Sequence, residues 1–381
     1  MTTCRCACFA SLLLIAVFLS VFPRATDAQS QSNNVADSQP TRSAYGKGLR
    51  VSILCRDVEA TSKLWAELLS LHVPEVLIHE PGSSSFMDFH GAPDATYRRA
   101  LLQLENTQLE FVQPLGNVGP QEAEFAKKHA AGVRRVLFAL ADPAAAERFQ
   151  QLGLVRRTQG GRDLYLENPD SFGVVTEWVA VQDAEALDAM TKASESRGQN
   201  LPPAPSGGLR SLLQVALSAN DVEAMSRRWA AIMGIPSPQV PPAQVPPAGR
   251  APWIFHGQPS GRQLRPVFMS LGHTLIEVVG QGSGEGSNPF LEFLNKRGQG
   301  VHHFAFSVDD MAATVRHFGE LGLGVGMVPG FRPNSDPSRP NTDLHMMDGF
   351  EKLGVDVELF HQVACCDQNG RLFPSGNGSR R

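Results

Sequence analysis

Bulky apolar residues alternate with small or polar ones from His303 to Val308, the period of a strand whose two faces differ. On strict alternation Phe304, Phe306 and Val308 share a bulky face with His302, while Val301, His303, Ala305 and Ser307 line the other. The bulky face suits packing on a helix. A His among small residues suits the wall of a cavity. Asp309 or Asp310 then offers a carboxylate to the free amides of a helix over 311–321.

The pattern recurs along the chain. Arg50–Ala60 aligns with Gln214–Ala224, each a strand, an Asp cap and an amphipathic helix, with Trp65 and Trp229 at matching places. Thr107–Val112 aligns with Thr274–Val279, Gly132–Phe138 with Gly300–Phe306, and Gly173–Trp178 with Gly354–Leu359. The last match is spaced more widely because the second copy carries a longer loop around 329–340. Such repetition divides the chain into two domains, 47–182 and 208–363, with a helix and Pro-rich linker over 183–207 between them. Each domain divides again into two strand–helix–strands units. A Pro-rich loop over 236–252 interrupts the first unit of the second domain, as a lid or as an ordered wrap.

Composition narrows the function classes. The 381 residues suffice for two domains with a sizeable core. With 42% hydrophobic residues and a net charge of −4, the chain is neither disordered overall nor a polybasic surface binder. It has no basic patch with interleaved aromatics, so no nucleic-acid partner is expected. Residues 1–28 read as a signal peptide: Arg5 precedes the apolar run Phe9–Phe22, and Thr26-Asp27-Ala28 supplies small residues at a cleavage site. That run is too short for a comfortable span, so no stable membrane span is expected after cleavage, and the product is expected in the periplasm or secreted. Residues 29–46 read as a disordered lead-in and 364–381 as a flexible tail. The mature chain keeps Cys55, Cys365 and Cys366, an odd set that makes no disulfide framework. Cys55 reads as a small buried apolar residue, and the Cys365-Cys366 pair falls in the tail.

Three stretches carry a family resemblance. They are Gly300–Asp310, the strand opener ending in Asp221-Val222, and Leu344–Asp348 followed by Leu353–Leu359. Together they resemble the vicinal oxygen chelate superfamily, the glyoxalase/bleomycin-resistance/dioxygenase fold. The resemblance implies an α+β chain of two tandem domains, each built from two β-α-β-β-β units around a cupped mixed sheet. It implies also that one divalent metal is held by four strand residues. In the second domain the matching positions are Gln214, Glu277, His303 and Glu358. Their strand phases agree: Gln214 shares a face with Ala216 and Ser218, and each Glu lies opposite in phase to apolar neighbours.

One imidazole, two carboxylates and an amide suit Zn, Ni, Co, Mn or Fe(II). The set is similar to that of glyoxalase I, which implies Lewis-acid chemistry of isomerase, epimerase or lyase type on a small oxygen-bearing substrate. By the same resemblance one carboxylate, Glu358 or Glu277, leaves the metal to act as base, and Glu358 is the choice. Extradiol dioxygenases, which the tandem layout also resembles, place a His where Gln214 stands. A secreted small-molecule binding protein without catalysis is the alternative from another class. The first domain departs from the pattern, with Arg50, Glu110, Arg135 and Glu177 at the four positions. An arginine offers no lone pair to a metal, so this cup is expected to be metal-free, an ion-pair cluster or an anion site. His345 and Asp348 are candidate supports for the ligands, and either a monomer or a homodimer suits two fused domains.

Overall fold

The computed structural model describes residues 45–79, 96–116, 120–159, 162–181, 209, 211–240, 252–271, 274–328 and 344–361. The signal peptide, most of the lead-in, the 183–207 helix and linker, most of the Pro-rich loop, and the tail with Cys365 and Cys366 lie outside them.

Two mixed sheets with flanking helices form an α+β architecture of two tandem domains. In the first, the strands are β1 (Tyr45–Cys55), β2 (Leu77–His79), β3 (Thr96–Gln103), β4 (Gln108–Gly116), β5 (Ala131–Ala141), β6 (Val155–Gln159), β7 (Arg162–Glu167) and β8 (Val175–Val181). The helices are α1 (Val58–Leu68), α2 (Pro120–Lys128), α3 (Ala145–Gln151) and α4 (Pro169–Phe172). The second domain carries β9 (Leu212–Ser218), β10 (Trp253–Phe255), β11 (Gln258–Ser260), β12 (Leu264–Leu271), β13 (Thr274–Gln281), β14 (Gly300–Val308), β15 (Val325–Val328), β16 (Leu344–Met347) and β17 (Asp356–His361). Its helices are α5 (Val222–Met233), α6 (Pro289–Arg297), α7 (Met311–Glu320) and α8 (Phe350–Leu353).

The strand orders are β2-β3-β4-β1-β5-β8-β7-β6 and β11-β10-β15-β16-β17-β14-β9-β13-β12. In both sheets the opening strands of the two units lie side by side and antiparallel, β1 on β5 and β9 on β14. Parallel partners flank them: β4 and β8 in the first sheet, β13 and β17 in the second. The repeat therefore places equivalent residues on the four central strands of each sheet.

Local chemistry starts the helices where the repeat requires. Asp57, Asp221 and Asp310 accept from the amides of Ala60, Ala224 and Ala313, so each unit that opens on an Asp cap turns from strand to helix at the same point. α5 buries Val222, Met225, Ser226, Trp229, Ala230, Ile232 and Met233, the three-and-four spacing of one helical face.

That face packs across the halves. Trp229 of α5 stacks on Phe172, with ring centroids 4.6 Å apart, and meets Trp178 edge-on at 5.5 Å, both in the first domain. Trp65 of α1 lies 6.0 Å from Phe304 of β14, and its indole Nε1 donates to the Leu353 carbonyl at 3.2 Å. One buried apolar cluster runs through both halves. Two repeated glycines permit the approach. Gly173 and Gly354 have φ of +73° and +85°, and a Cβ there would lie 1.8 Å from the Gln299 carbonyl oxygen and 2.6 Å from the Gly132 nitrogen.

One difference between the sheets bears on function. In the first, β2 stays beside β3 of its own unit. In the second, the hairpin β10–β11 leaves its unit and pairs with β15 of the other. Phe255, Val279, Phe290, Met327 and Met346 join in one apolar cluster with Trp253 and Leu264 against it.

Candidate metal centre

Gln214, Glu277, His303 and Glu358 stand on β9, β13, β14 and β17, four adjacent strands. Register sets them in two rows. Glu277, Ala216 and His303 are level, and so are Gln214, Ala305 and Glu358. Ala216 and Ala305 fill the intervening places, which leaves room for four longer side chains to meet above them.

They do meet. The amide Nε2 of Gln214 donates to Glu277 Oε2 at 2.6 Å and lies 3.1 Å from His303 Nε2 and 3.5 Å from Glu358 Oε2. His303 Nε2 is 3.4 Å from Glu277 Oε2 and 3.1 Å from Glu358 Oε2. All four residues are buried. The ligand atoms of Glu277, His303 and Glu358 lie within 4.8 Å of one another, as they must to hold one ion.

The electrostatics fit a cation. Burial pushes the Glu277 carboxyl up to about 8, opposed by His303 and reinforced by the charge of Glu358. Burial works to lower the His303 imidazole, but Glu358 and then Glu277 outweigh it and hold it above its ordinary value. The amide Nε2 of Gln214 reaches both carboxylates, and His303 Nε2 stands between the same two oxygens. A half-turn of that amide presents Oε1 instead, and the set becomes one nitrogen and three oxygens. These residues fit a divalent metal by number, type and charge.

The neighbouring histidine differs from the expectation of strict alternation, which puts His302 on the helix-packing face. A bulge between Val301 and His303 breaks the alternation, since Val301 pairs with Leu217 while His303 pairs with the adjacent Ala216. Val301 therefore joins the core, and His302 turns beside His303, with the two Nδ1 atoms 3.0 Å apart. Phe290 stacks on the His302 ring at 4.4 Å. Asp356 also belongs here: its Oδ2 lies 3.6 Å from His302 Nε2, and its Oδ1 accepts from the amides of Gly349 and Phe350. Burial pushes the Asp356 carboxyl up to about 7. The signal for it was present, because a residue two before Glu358 on a strand shares its face. His345 instead pairs in register with Leu359, out of phase with Glu358. Asp348 lies beyond β16, 3.5 Å from His256.

At the equivalent place in the first domain, Arg135 Nη1 stands 2.9 Å from Glu177 Oε1, both buried. Arg50 lies 3.8 Å from Glu110 Oε1 and donates through Nε to Gln108 Oε1 at 3.0 Å. Ser52, where the second domain has Ala216, donates to Glu110 Oε2 at 2.5 Å.

Residues 213–338 match the family model of the glyoxalase/bleomycin resistance protein/dioxygenase superfamily. No curated protein matches the chain. Among solved structures, the chain is similar to a triple mutant of 4-hydroxymandelate synthase from Streptomyces coelicolor, at TM-score 0.52 and 15% identity, covering 83% of this chain and 92% of that one. It also matches a halotolerant catechol dioxygenase at TM-score 0.42 and 11% identity, over 84% of this chain and 87% of that one. At such identities the first likeness shows the fold alone.

Proposed function

We propose, from the premise that the second domain belongs to the glyoxalase/bleomycin resistance protein/dioxygenase superfamily, that it holds one divalent metal and acts on a small oxygen-bearing substrate. Gln214, Glu277, His303 and Glu358 are the ligands, and the reaction is of isomerase, epimerase or lyase type. The observation that carries this reading is the convergence of four buried donors, one from each of four adjacent strands, on a single point. When bound, the metal supplies Lewis acidity toward a carbonyl or hydroxyl oxygen and eases loss of a proton from the neighbouring carbon.

The chain's own residues divide the remaining work. Gln214 holds Glu277 by a 2.6 Å bond and reaches Glu358 only at 3.5 Å, while His303 Nε2 lies 3.1 Å from Glu358. Glu358, the carboxylate less tightly held by Gln214, takes the substrate proton and returns it. Phe255, Phe290, Met327 and Met346 line the cup and exclude water from the carbanionic carbon. The same apolar lining supports a second reading, in which the cup captures a small molecule without turnover. The signal-peptide pattern of residues 1–28 makes export part of the proposal, tested by sequencing the N-terminus of the secreted or periplasmic product.

Metal analysis of the full chain, prepared without chelator, is the test. About one equivalent per chain is expected, lost in His303→Ala, and a wild-type protein with no metal sinks the reading. A metal-loaded protein that binds but never converts 2-oxo aldehyde adducts or other α-hydroxycarbonyl compounds favours the capture reading.

A further inference from the structure

The bulge at His302 sets two imidazoles side by side, and the neighbours of His302 fix the direction of the bond between them. The Nδ1 atoms of His302 and His303 lie 3.0 Å apart, so one of them carries the proton and the other accepts it. The His302 ring also hydrogen-bonds the backbone of Pro289. Proline has no N–H, so its backbone group is a carbonyl and His302 must be the donor. With Nδ1 committed to His303, the donating atom is Nε2. Asp356 Oδ2, 3.6 Å from that Nε2, favours a proton there as well. A neutral His302 with Nε2 protonated has a bare Nδ1, which accepts from His303.

We propose that His302 is a positioning residue for His303: by accepting its Nδ1 proton, it keeps Nε2 of His303 aimed at Gln214, Glu277 and Glu358. This rests on the metal-site reading for its purpose, though not for its geometry. The reverse direction fails on the His302 side. It would set a bare His302 Nε2 against the Pro289 carbonyl and beside Asp356 Oδ2. The ring of His302 is held for this task. It is buried, stacked on Phe290 at 25° between planes, and met edge-on by Phe293 at 5.3 Å. The partners of a metal-bound histidine set its tautomer and orientation, and their loss typically costs about 10–100-fold in metal affinity.

Two measurements test this. In the metal-free full chain, nitrogen-15 NMR of the imidazoles should show His302 protonated on Nε2 with Nδ1 bare, and His303 protonated on Nδ1. A proton on His302 Nδ1, or a bare His303 Nδ1, overturns the proposal. This arm needs no metal, so a wild-type protein that binds none defeats the metal-site reading and leaves the proposal standing or falling by itself. In the second arm, zinc affinity is measured by chelator competition. His302→Phe keeps the stacked ring without an acceptor and should lose about 10–100-fold. His302→Asn, whose Oδ1 accepts from the place of Nδ1, should recover part of that loss. Affinity unchanged in His302→Phe, or no better in His302→Asn, counts against positioning.

Discussion

The two cups of this chain solve one problem in two ways. Both fold the same strand positions inward and both bury two glutamates, Glu110 with Glu177 and Glu277 with Glu358. In the first cup Arg50 and Arg135 bring two positive charges. In the second, Gln214 and His303 bring donors without a fixed charge. Two guanidinium charges in one cup thus stand where the other would take one divalent cation. The comparison teaches that the buried glutamates belong to the repeat, whereas the residues on β1/β9 and β5/β14 decide whether their charge is balanced from within or from outside.

The largest effect should come from breaking the internal balance. Arg135→Ala leaves Glu177 buried and unpaired, which costs about 3–5 kcal/mol by the usual behaviour of a broken buried pair. Replacing both partners, Arg135→Met with Glu177→Met, should cost far less. Denaturant unfolding of the full chain measures both, and equal losses would show that the pair matters only through packing.

Next comes the external balance. His303→Ala and Glu358→Ala should each weaken zinc binding by more than about 100-fold, beyond what loss of a mere supporting partner costs. The sharper experiment copies one cup into the other. Arg50→Gln with Arg135→His gives the first domain the donor set of the second, and metal stoichiometry should rise from one to two per chain. The double variant should also gain thermal stability on adding zinc, because a ligand bound only by the folded state stabilises it. A stoichiometry that stays at one would mean that the backbone of the first cup differs in ways the register does not show.

The aligned tryptophans give a smaller contrast. Trp65 Nε1 donates to the Leu353 carbonyl, whereas Trp229 Nε1 has no partner among the described residues. Phenylalanine keeps most of the packing in either place. Trp65→Phe should therefore cost about 1 kcal/mol more than Trp229→Phe, the net value of one hydrogen bond. Matched denaturation curves decide it, and equal costs would remove any energetic role for the bond to Leu353.

The repeat that makes these contrasts possible was legible in residue types. Asp caps, aligned tryptophans and strand alternation are local signals that set the two halves in register, and the family resemblance then named the four cup positions in each. Three features were not legible, each for a physical reason. The bulge at His302 depends on how β14 meets β9, and two consecutive histidines do not announce which of them slips. The path of β10–β11 depends on the partner edge at β15, more than sixty residues away in the sequence, so its own short apolar run points to no unit. The packing of Trp65 and Trp229 on the opposite half has no signal either, since a helix declares its apolar face but not the sheet that covers it.

The smallest effect should come where the halves differ by one atom type. Cys55 in β1 occupies the place of Ala219 just after β9, and both are buried. The Cys55 thiol lies 3.6 Å from the Val112 carbonyl, and burial raises it from 9.0 to about 12. Below pH 9 the thiol is neutral in both the folded and the unfolded chain, so Cys55→Ala removes only packing, at about 1 kcal/mol on the area scale. Above pH 9 the unfolded thiol ionises while the folded one stays protonated. The folded state then binds more protons, and stability falls as pH rises from 9 toward 12. Cys55→Ala should flatten that part of the curve, so the variant's deficit shrinks and then reverses in alkali. For the same reason the native thiol should resist alkylation at pH 8 and react on unfolding. Rapid labelling of the folded wild-type chain at that site would show that β1 opens far more readily than its counterpart β9.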